Sequence, residues 1–147
     1  MTHARIPADP SSDLHLPRPR TKPVPDAVVW GLGITRIVIG AGLIVSPVGL
    51  ARGLGIDAVT ARKVGWMARV AGAREMAIGA GTLLALRRGD PVDGWVAAQA
   101  FSDGVDAVAF ATSAARGQVA PVRGWGLALF AASGSISEAL AVAALRR

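Results

Sequence analysis

The sequence predicts an all-α fold: a four-helix transmembrane bundle preceded by a disordered N-terminal tail. Three observations predict it. Hydrophobic residues make up 52% of the chain and charged residues 18%, where a soluble domain carries about 25% charged residues. Four long apolar runs alternate with short segments rich in Arg, Gly and Pro. None of these runs has the polar face that a surface helix of a soluble protein needs.

Residues 1–25 hold six of the nine prolines, with mixed charges between them. This composition predicts a disordered, partly polyproline-II tail, so the chain divides into a tail over 1–25 and one helical domain over 26–147. No cleavable apolar core precedes residue 27, so the tail does not read as a signal peptide. The first helix is expected at 27–45, where Thr35 and Arg36 alone are polar, and Ser46-Pro47 should end it. A connector over 48–62 carries Arg52, Asp57 and Arg62; part of it is expected as a short helix on the membrane surface. The second helix is expected at 64–86, stopped by Arg87-Arg88-Gly89-Asp90-Pro91. The third is expected at 94–115, where Gln99, Asp103 and Asp106 recur at spacings that put them on one face. Pro121 should break the chain, with the fourth helix at 124–145. Trp30, Trp66, Trp95 and Trp125 fall near the expected helix starts, as an interfacial aromatic belt would have them.

No run offers the ~18 uncharged residues usual for a spanning helix, because each carries an internal charge. Two readings remain: a membrane bundle whose charges face inward and pair, or a soluble helical protein with unusually apolar helices. The near-complete apolar circumference of each helix selects the membrane. With the N-terminus inside, the inner segments hold eight basic residues: Arg5, Arg18, Arg20, Lys22, Arg87, Arg88, Arg146 and Arg147. The outer ones hold five: Arg52, Arg62, Lys63, Arg116 and Arg123. That bias predicts a multi-pass protein of a bacterial inner membrane with both termini in the cytoplasm.

Composition also excludes chemistry. The chain has no cysteine, hence no disulfide, Fe–S cluster or thiol catalysis. Its two histidines, His3 and His15, both lie in the tail, so no haem, zinc site or Ser-His-Asp triad is expected in the helical part. Neither a cofactor nor a metal is expected, and no enzyme activity. The net charge of +6 is scattered through short connecting segments, so nucleic acid is not an expected partner. The glycines belong to no phosphate-binding loop.

What remains is a set of ionisable residues inside apolar text. The first two helices repeat at an offset of 39: Gly33-x-x-Arg36-x-x-Ile39-Gly40-Ala41-Gly42 matches Gly72-x-x-Glu75-x-x-Ile78-Gly79-Ala80-Gly81. The ionisable position alone changes sign, which predicts that Arg36 and Glu75 are equivalent inward positions in contact. At ~1.5 Å rise per residue, Arg36 and Asp103 lie ~14 Å deep, Arg74, Glu75 and Asp106 at ~16–18 Å, and Glu138 at ~10 Å. In a ~30 Å hydrocarbon core these form one layer. Gly33, Gly40, Gly72 and Gly79 share the face of Arg36 or Glu75 and should let the helices approach closely. The small-residue stripe Ala131, Ser135, Ala139 and Ala143 could pack inside the bundle or form a homo-oligomer.

The expected network is therefore Arg36, Arg74, Glu75, Gln99, Asp103, Asp106 and Glu138. Four acids face two bases, a surplus of two negative charges that must be protonated, hydrated or cation-bound. Such a layer is either a structural network fixing helix order, or a proton or ion relay, or a polar pocket for a small ligand.

The pattern Arg69-x-x-Gly72-x-Arg74-Glu75-x-x-x-Gly79, followed by Trp95, Ala100, Asp103 and Asp106, resembles a group of small bacterial membrane proteins of unknown function and the DoxX-like four-span proteins, over about 27–145. Some DoxX-like proteins are described as membrane parts of oxidoreductase complexes handling sulfur compounds and quinone. The resemblance thus implies a partner subunit carrying redox groups, since this chain supplies none. The expected function is a membrane-embedded structural or interaction subunit. The alternatives are a proton-coupled or small-molecule transporter module and the membrane subunit of an oxidoreductase.

Overall fold

The computed structural model describes residues 24–147; the proline-rich segment expected to be disordered lies, up to residue 23, outside them. Five helices follow in order: α1 Asp26–Val45, α2 Pro47–Gly53, α3 Ala58–Arg88, α4 Asp93–Ala115 and α5 Pro121–Leu145. No strand occurs among the described residues. The all-helical expectation holds, with α2 as the short helix foreseen in the connector.

Two helix starts differ from expectation, each for a local reason. α3 begins at Ala58, six residues before the position expected from hydrophobicity. Asp57 caps it: its Oδ1 accepts from the amides of Val59 at 2.9 Å and Thr60 at 3.1 Å, satisfying two donors that the first turn leaves unpaired. Hydrogen bonding from Thr60, and then from the Val59 amide, holds this carboxyl below its usual range. α5 begins at Pro121 itself. Proline cannot continue a helix but suits its first turn, where the missing N–H has no partner to lose; Pro47 starts α2 in the same way.

α3 stops where expected. Gly89 takes the left-handed conformation at φ 72°, and the Asp90 amide reaches back to Ala85 O at 2.9 Å, closing the last turn. At 31 residues, α3 is about 46 Å long, longer than a ~30 Å hydrocarbon core.

The helices form two antiparallel pairs, α1 with α3 and α4 with α5; backbone contact is dense within each pair and sparse between them. In the first pair, glycine faces glycine. A Cβ at Gly40 would lie 2.6 Å from Gly72 O, one at Gly72 2.6 Å from Gly40 O, and one at Gly79 2.6 Å from Gly33 O. The contacts are reciprocal: Gly33 meets Gly79 and Gly40 meets Gly72. That is the pattern of a local two-fold axis between two copies of one helical repeat, and it gives the offset of 39 a structural meaning. In the second pair, Ser135 Oγ donates to Ala100 O at 2.7 Å and Gly124 packs on Ala114. Of the small-residue stripe on α5, Ala131 is buried and Ser135 half-buried against α4, while Ala139 and Ala143 are exposed.

The two pairs are also tied at one end. The Ala120 amide donates to Leu54 O at 3.1 Å and Arg123 Nη1 to Gly53 O at 2.6 Å. At the opposite end Arg146 Nε donates to Asp93 Oδ2 at 3.1 Å, within the α4/α5 pair.

The interior is small and polar. Among the described residues the buried apolar ones are small: Val29, Val96 and Val142, with Ala51, Ala61, Ala85, Ala114, Ala128 and Ala131, and Pro47 at the start of α2. Beside them Arg36, Glu75, Thr82, Gln99, Ser102 and Glu138 are buried. Many large apolar side chains point outward; Phe101 is 75% exposed, Leu129 71%, Phe130 68% and Leu140 67%. Two helices, α1 and α5, are long and apolar enough to cross a membrane, with only 22% of each apolar window buried in the protein. A core helix of a soluble protein would be mostly buried. α3 and α4 do not meet the same measure, α3 carrying Arg69, Arg74 and Glu75 and α4 carrying Asp103 and Asp106 within their apolar text.

Candidate functional site

Arg36 is the hub of the seam between the two pairs. It sits on α1 between Gly33 and Gly40, whose close approach to α3 leaves its side chain room to run along that helix. Its Nη1 donates to Glu75 Oε2 at 2.5 Å. Its Nη2 lies 2.6 Å from Asp103 Oδ1, and donates to Glu138 Oε1 at 3.1 Å and to Gln99 backbone O at 3.4 Å. One guanidinium thus reaches α3, α4 and α5 at once. A planar fork of five N–H donors can do this where an ammonium could not hold the same geometry.

Arg74 forms a second, more open node. Its Nη2 donates to Glu75 Oε1 at 2.9 Å and to Asp106 Oδ2 at 2.8 Å. The side chains of Arg74 and Asp106 are 38% and 34% exposed, against 7% for Arg36 and 5% each for Glu75 and Glu138. The layer therefore runs from a sealed end at Glu138 to an open end at Arg74, with Asp103 at 18% between them.

All seven residues expected from sequence fall in this seam. Gln99 is fully buried, and its Nε2 donates to Thr82 Oγ1 at 2.8 Å. The predicted contact of Arg36 with Glu75 is direct. Two members were not anticipated. Ser102 Oγ donates to Glu75 Oε1 at 3.2 Å, and Thr82 Oγ1 donates to Ile78 O at 2.8 Å while accepting from Gln99. Both carried a usable signal: Ser102 lies three residues after Gln99, on the same helical face, and Thr82 is the one polar residue over 76–86.

The tryptophans follow their expected places less closely. Trp66 lies eight residues inside α3, because that helix starts early. The ring of Trp95 packs on Gly81, joining α4 to α3.

Charge divides unevenly across the seam. The α1/α3 pair contributes Arg36, Arg74 and Glu75, a formal sum of +1; the α4/α5 pair contributes Asp103, Asp106 and Glu138, a sum of −3. Opposite signs attract the pairs to each other, and two negative charges are left over. Among the described residues no group of three or more His, Cys, Asp or Glu is arranged to hold a metal ion. The two best-formed pockets lie elsewhere, one at the bundle end beside Asp26, Asp90 and Asp93, the other an apolar groove along Phe101, Gly104 and Val108.

No protein-family model, no curated protein and no solved structure matches the chain significantly.

Proposed function

We propose that the chain is an integral membrane protein of a bacterial inner membrane in which α1, α3, α4 and α5 span the bilayer and α2 rests at its surface. In this reading it is a structural or interaction subunit, not an enzyme, and the Arg/Asp/Glu layer fixes how its two helix pairs fit together. The observation that carries the reading is the inverted distribution of side chains. The charges of the layer lie inside with valine and alanine, while Phe101, Phe130, Leu129, Leu140 and other large apolar side chains are exposed. Water would disfavour that arrangement at ~25 cal/mol per Å² of exposed apolar surface, whereas lipid removes the cost. Intramembrane charges also face the bundle interior and pair, as here. The eight-to-five excess of Lys and Arg on the inner segments supports cytoplasmic termini.

Fractionation tests the reading. The protein should stay with membranes through high-salt and alkaline washes and require detergent for release; recovery in the soluble fraction without detergent overturns it. Reporter fusions after Arg147 and within the loop at 116–120 should report opposite sides. Purification from native membranes with mass spectrometry then identifies any partner. A co-purifying flavin or haem subunit would replace this role with that of an oxidoreductase membrane subunit, as the DoxX-like resemblance suggests. Proton flux in liposomes would replace it with that of a transporter module.

A further inference from the structure

The carboxylates of the layer are unequally supplied with donors. Glu75 accepts from four: Arg36 Nη1, Arg74 Nε and Nη2, and Ser102 Oγ. Glu138, equally buried, accepts from one atom, Arg36 Nη2. That nitrogen carries two hydrogens, yet Asp103 Oδ1, both oxygens of Glu138 and Gln99 O all crowd it within 3.4 Å. Asp103 is the nearest, at 2.6 Å, as an ion pair on a side chain 18% exposed, while the hydrogen bonds of Nη2 go to Glu138 and the Gln99 carbonyl, so the more deeply buried Glu138 shares its one donor atom with a backbone oxygen. A separate observation points the same way: Gln99, fully buried in the same layer, has an Oε1 with no donor. Around Arg36 Nη2 the acceptors outnumber the hydrogens.

We propose that Glu138 is a protonation site, holding a proton in the folded bundle that offsets part of the negative surplus across the seam. The charged groups around it are Arg36 from α1, Arg74 and Glu75 from α3, and Asp103 and Asp106 from α4. With Glu138 neutral, +1 on α1/α3 faces −2 on α4/α5, and its carboxyl gains a hydrogen to donate where hydrogens are short. Asp106 has its own ion-pair partner in Arg74 at 2.8 Å, and four donors converge on Glu75. Gain and loss of the Glu138 proton then changes the attraction between the two helix pairs, which makes the seam a proton-responsive joint. The inference rests on the membrane reading only in that it needs the layer away from bulk water.

Infrared spectroscopy tests it directly, because Glu75 and Glu138 are the chain's only two glutamates. The full chain, made with carboxyl-labelled [13C]glutamate, would be compared with unlabelled protein in lipid nanodiscs at neutral pH. The expected result is a protonated-carboxyl C=O band that shifts with the label and is lost in Glu138→Gln. Should that variant fail to accumulate, Glu138→Asp serves instead, since the band would survive there without label sensitivity. Absence of a label-sensitive band overturns the proposal, as does a labelled band that persists in either variant, which would put the proton on Glu75. A protein that stays in membranes but lacks the band sinks this inference alone; a protein that never enters membranes sinks the membrane reading.

Discussion

The two seams of this bundle are built on opposite principles. Between α1 and α3 side chains are absent where the helices cross: Gly33, Gly40, Gly72 and Gly79 bring backbone against backbone. Between the α1/α3 and α4/α5 pairs the backbones stand apart and long charged side chains fill the gap. The first seam depends on shape at its glycine contacts, with one ion pair, Arg36 with Glu75, beside them. The second depends on charge and tolerates spacing, because a guanidinium reaches across it. The glycines of the first make the second possible: with α1 and α3 in close contact, Arg36 and Glu75 meet beside their shared axis and present one composite charged surface to α4 and α5.

The largest effect should come from the charged seam. Arg36→Ala would leave four carboxylates facing Arg74 alone, raising the surplus from two negative charges to three. Glu75→Ala would lower it to one and leave Arg36 with Asp103 and Glu138. Breaking one partner of a buried pair costs about 3–5 kcal/mol, and Arg36→Ala should cost the more of the two in thermal unfolding in detergent. The double variant should be less damaged than the sum, because the orphaned charge of either single change is removed. Strictly additive losses would mean that the two residues do not share a site, and the repeat would lose its structural meaning. The charge-swapped pair, Arg36→Glu with Glu75→Arg, should recover only part of the loss, since Asp103 and Glu138 would then face a glutamate from α1.

The glycine seam should respond to size and not to charge. Gly72→Ala puts a methyl group 2.6 Å from Gly40 O, a backbone atom that cannot swing aside. Overpacking of this kind costs about 1–3 kcal/mol. Gly42→Ala, on the same helix as Gly40 but with nothing within 4 Å of the added carbon, should be neutral or stabilising by up to about 1 kcal/mol, as for Gly to Ala inside a helix. Thermal unfolding of both variants separates contact from propensity. If Gly42→Ala destabilises as much as Gly72→Ala, close approach is not what the glycines supply.

A smaller effect is expected at the open end of the charged seam. Asp106→Asn removes one partner of Arg74 and leaves Glu75, but the side chains of Arg74 and Asp106 are both more than a third exposed, and the change also removes one surplus acid. The net cost should be about 1 kcal/mol or less. A loss as large as that of Arg36→Ala would show that the layer has no sealed and open ends, and that Arg74 is as dependent on its partners as Arg36.

The sequence disclosed the charged seam better than the helix ends. Arg36 and Glu75 stood out because each is an isolated charge at the same place in a repeat, and Gln99, Asp103 and Asp106 because their spacing fixes one face. Ser102 and Thr82 escaped because hydroxyl residues are common on helices and carry no charge to flag them. The α3 start was missed because Arg62 and Lys63 read as connector, whereas the cap at Asp57 makes the helix begin before its apolar stretch does. Pro47 and Pro121 read as breaks in the sequence and are first-turn residues in the structure. The glycine contacts were legible as a face; their reciprocal pairing was not, because the antiparallel register of two helices depends on the loop between them.

The smallest effect belongs to a charge outside both seams. Asp57 is exposed and acts on the first turn of α3 alone, through the amides of Val59 and Thr60. Asp57→Ala should lower thermal stability slightly and fray that turn, without altering the coupling between Arg36 and Glu75. Its pH dependence has a definite sign. Hydrogen bonding lowers the folded-state pKa of this carboxyl below the ordinary value of 3.8, so the charged form is favoured by folding. Its contribution is complete above that value and is lost as pH falls through the lower, folded one. The stabilities of wild type and Asp57→Ala should therefore differ at neutral pH and converge in strong acid, measured as the difference between the two so that the buried carboxylates cancel. A gap that stays constant into acid would mean that the cap works through shape instead of charge. A gap accompanied by loss of the Arg36–Glu75 coupling would mean that the start of α3 and the charged seam are not independent, and the separation of the molecule into a shape-built seam and a charge-built one would fail at its simplest control.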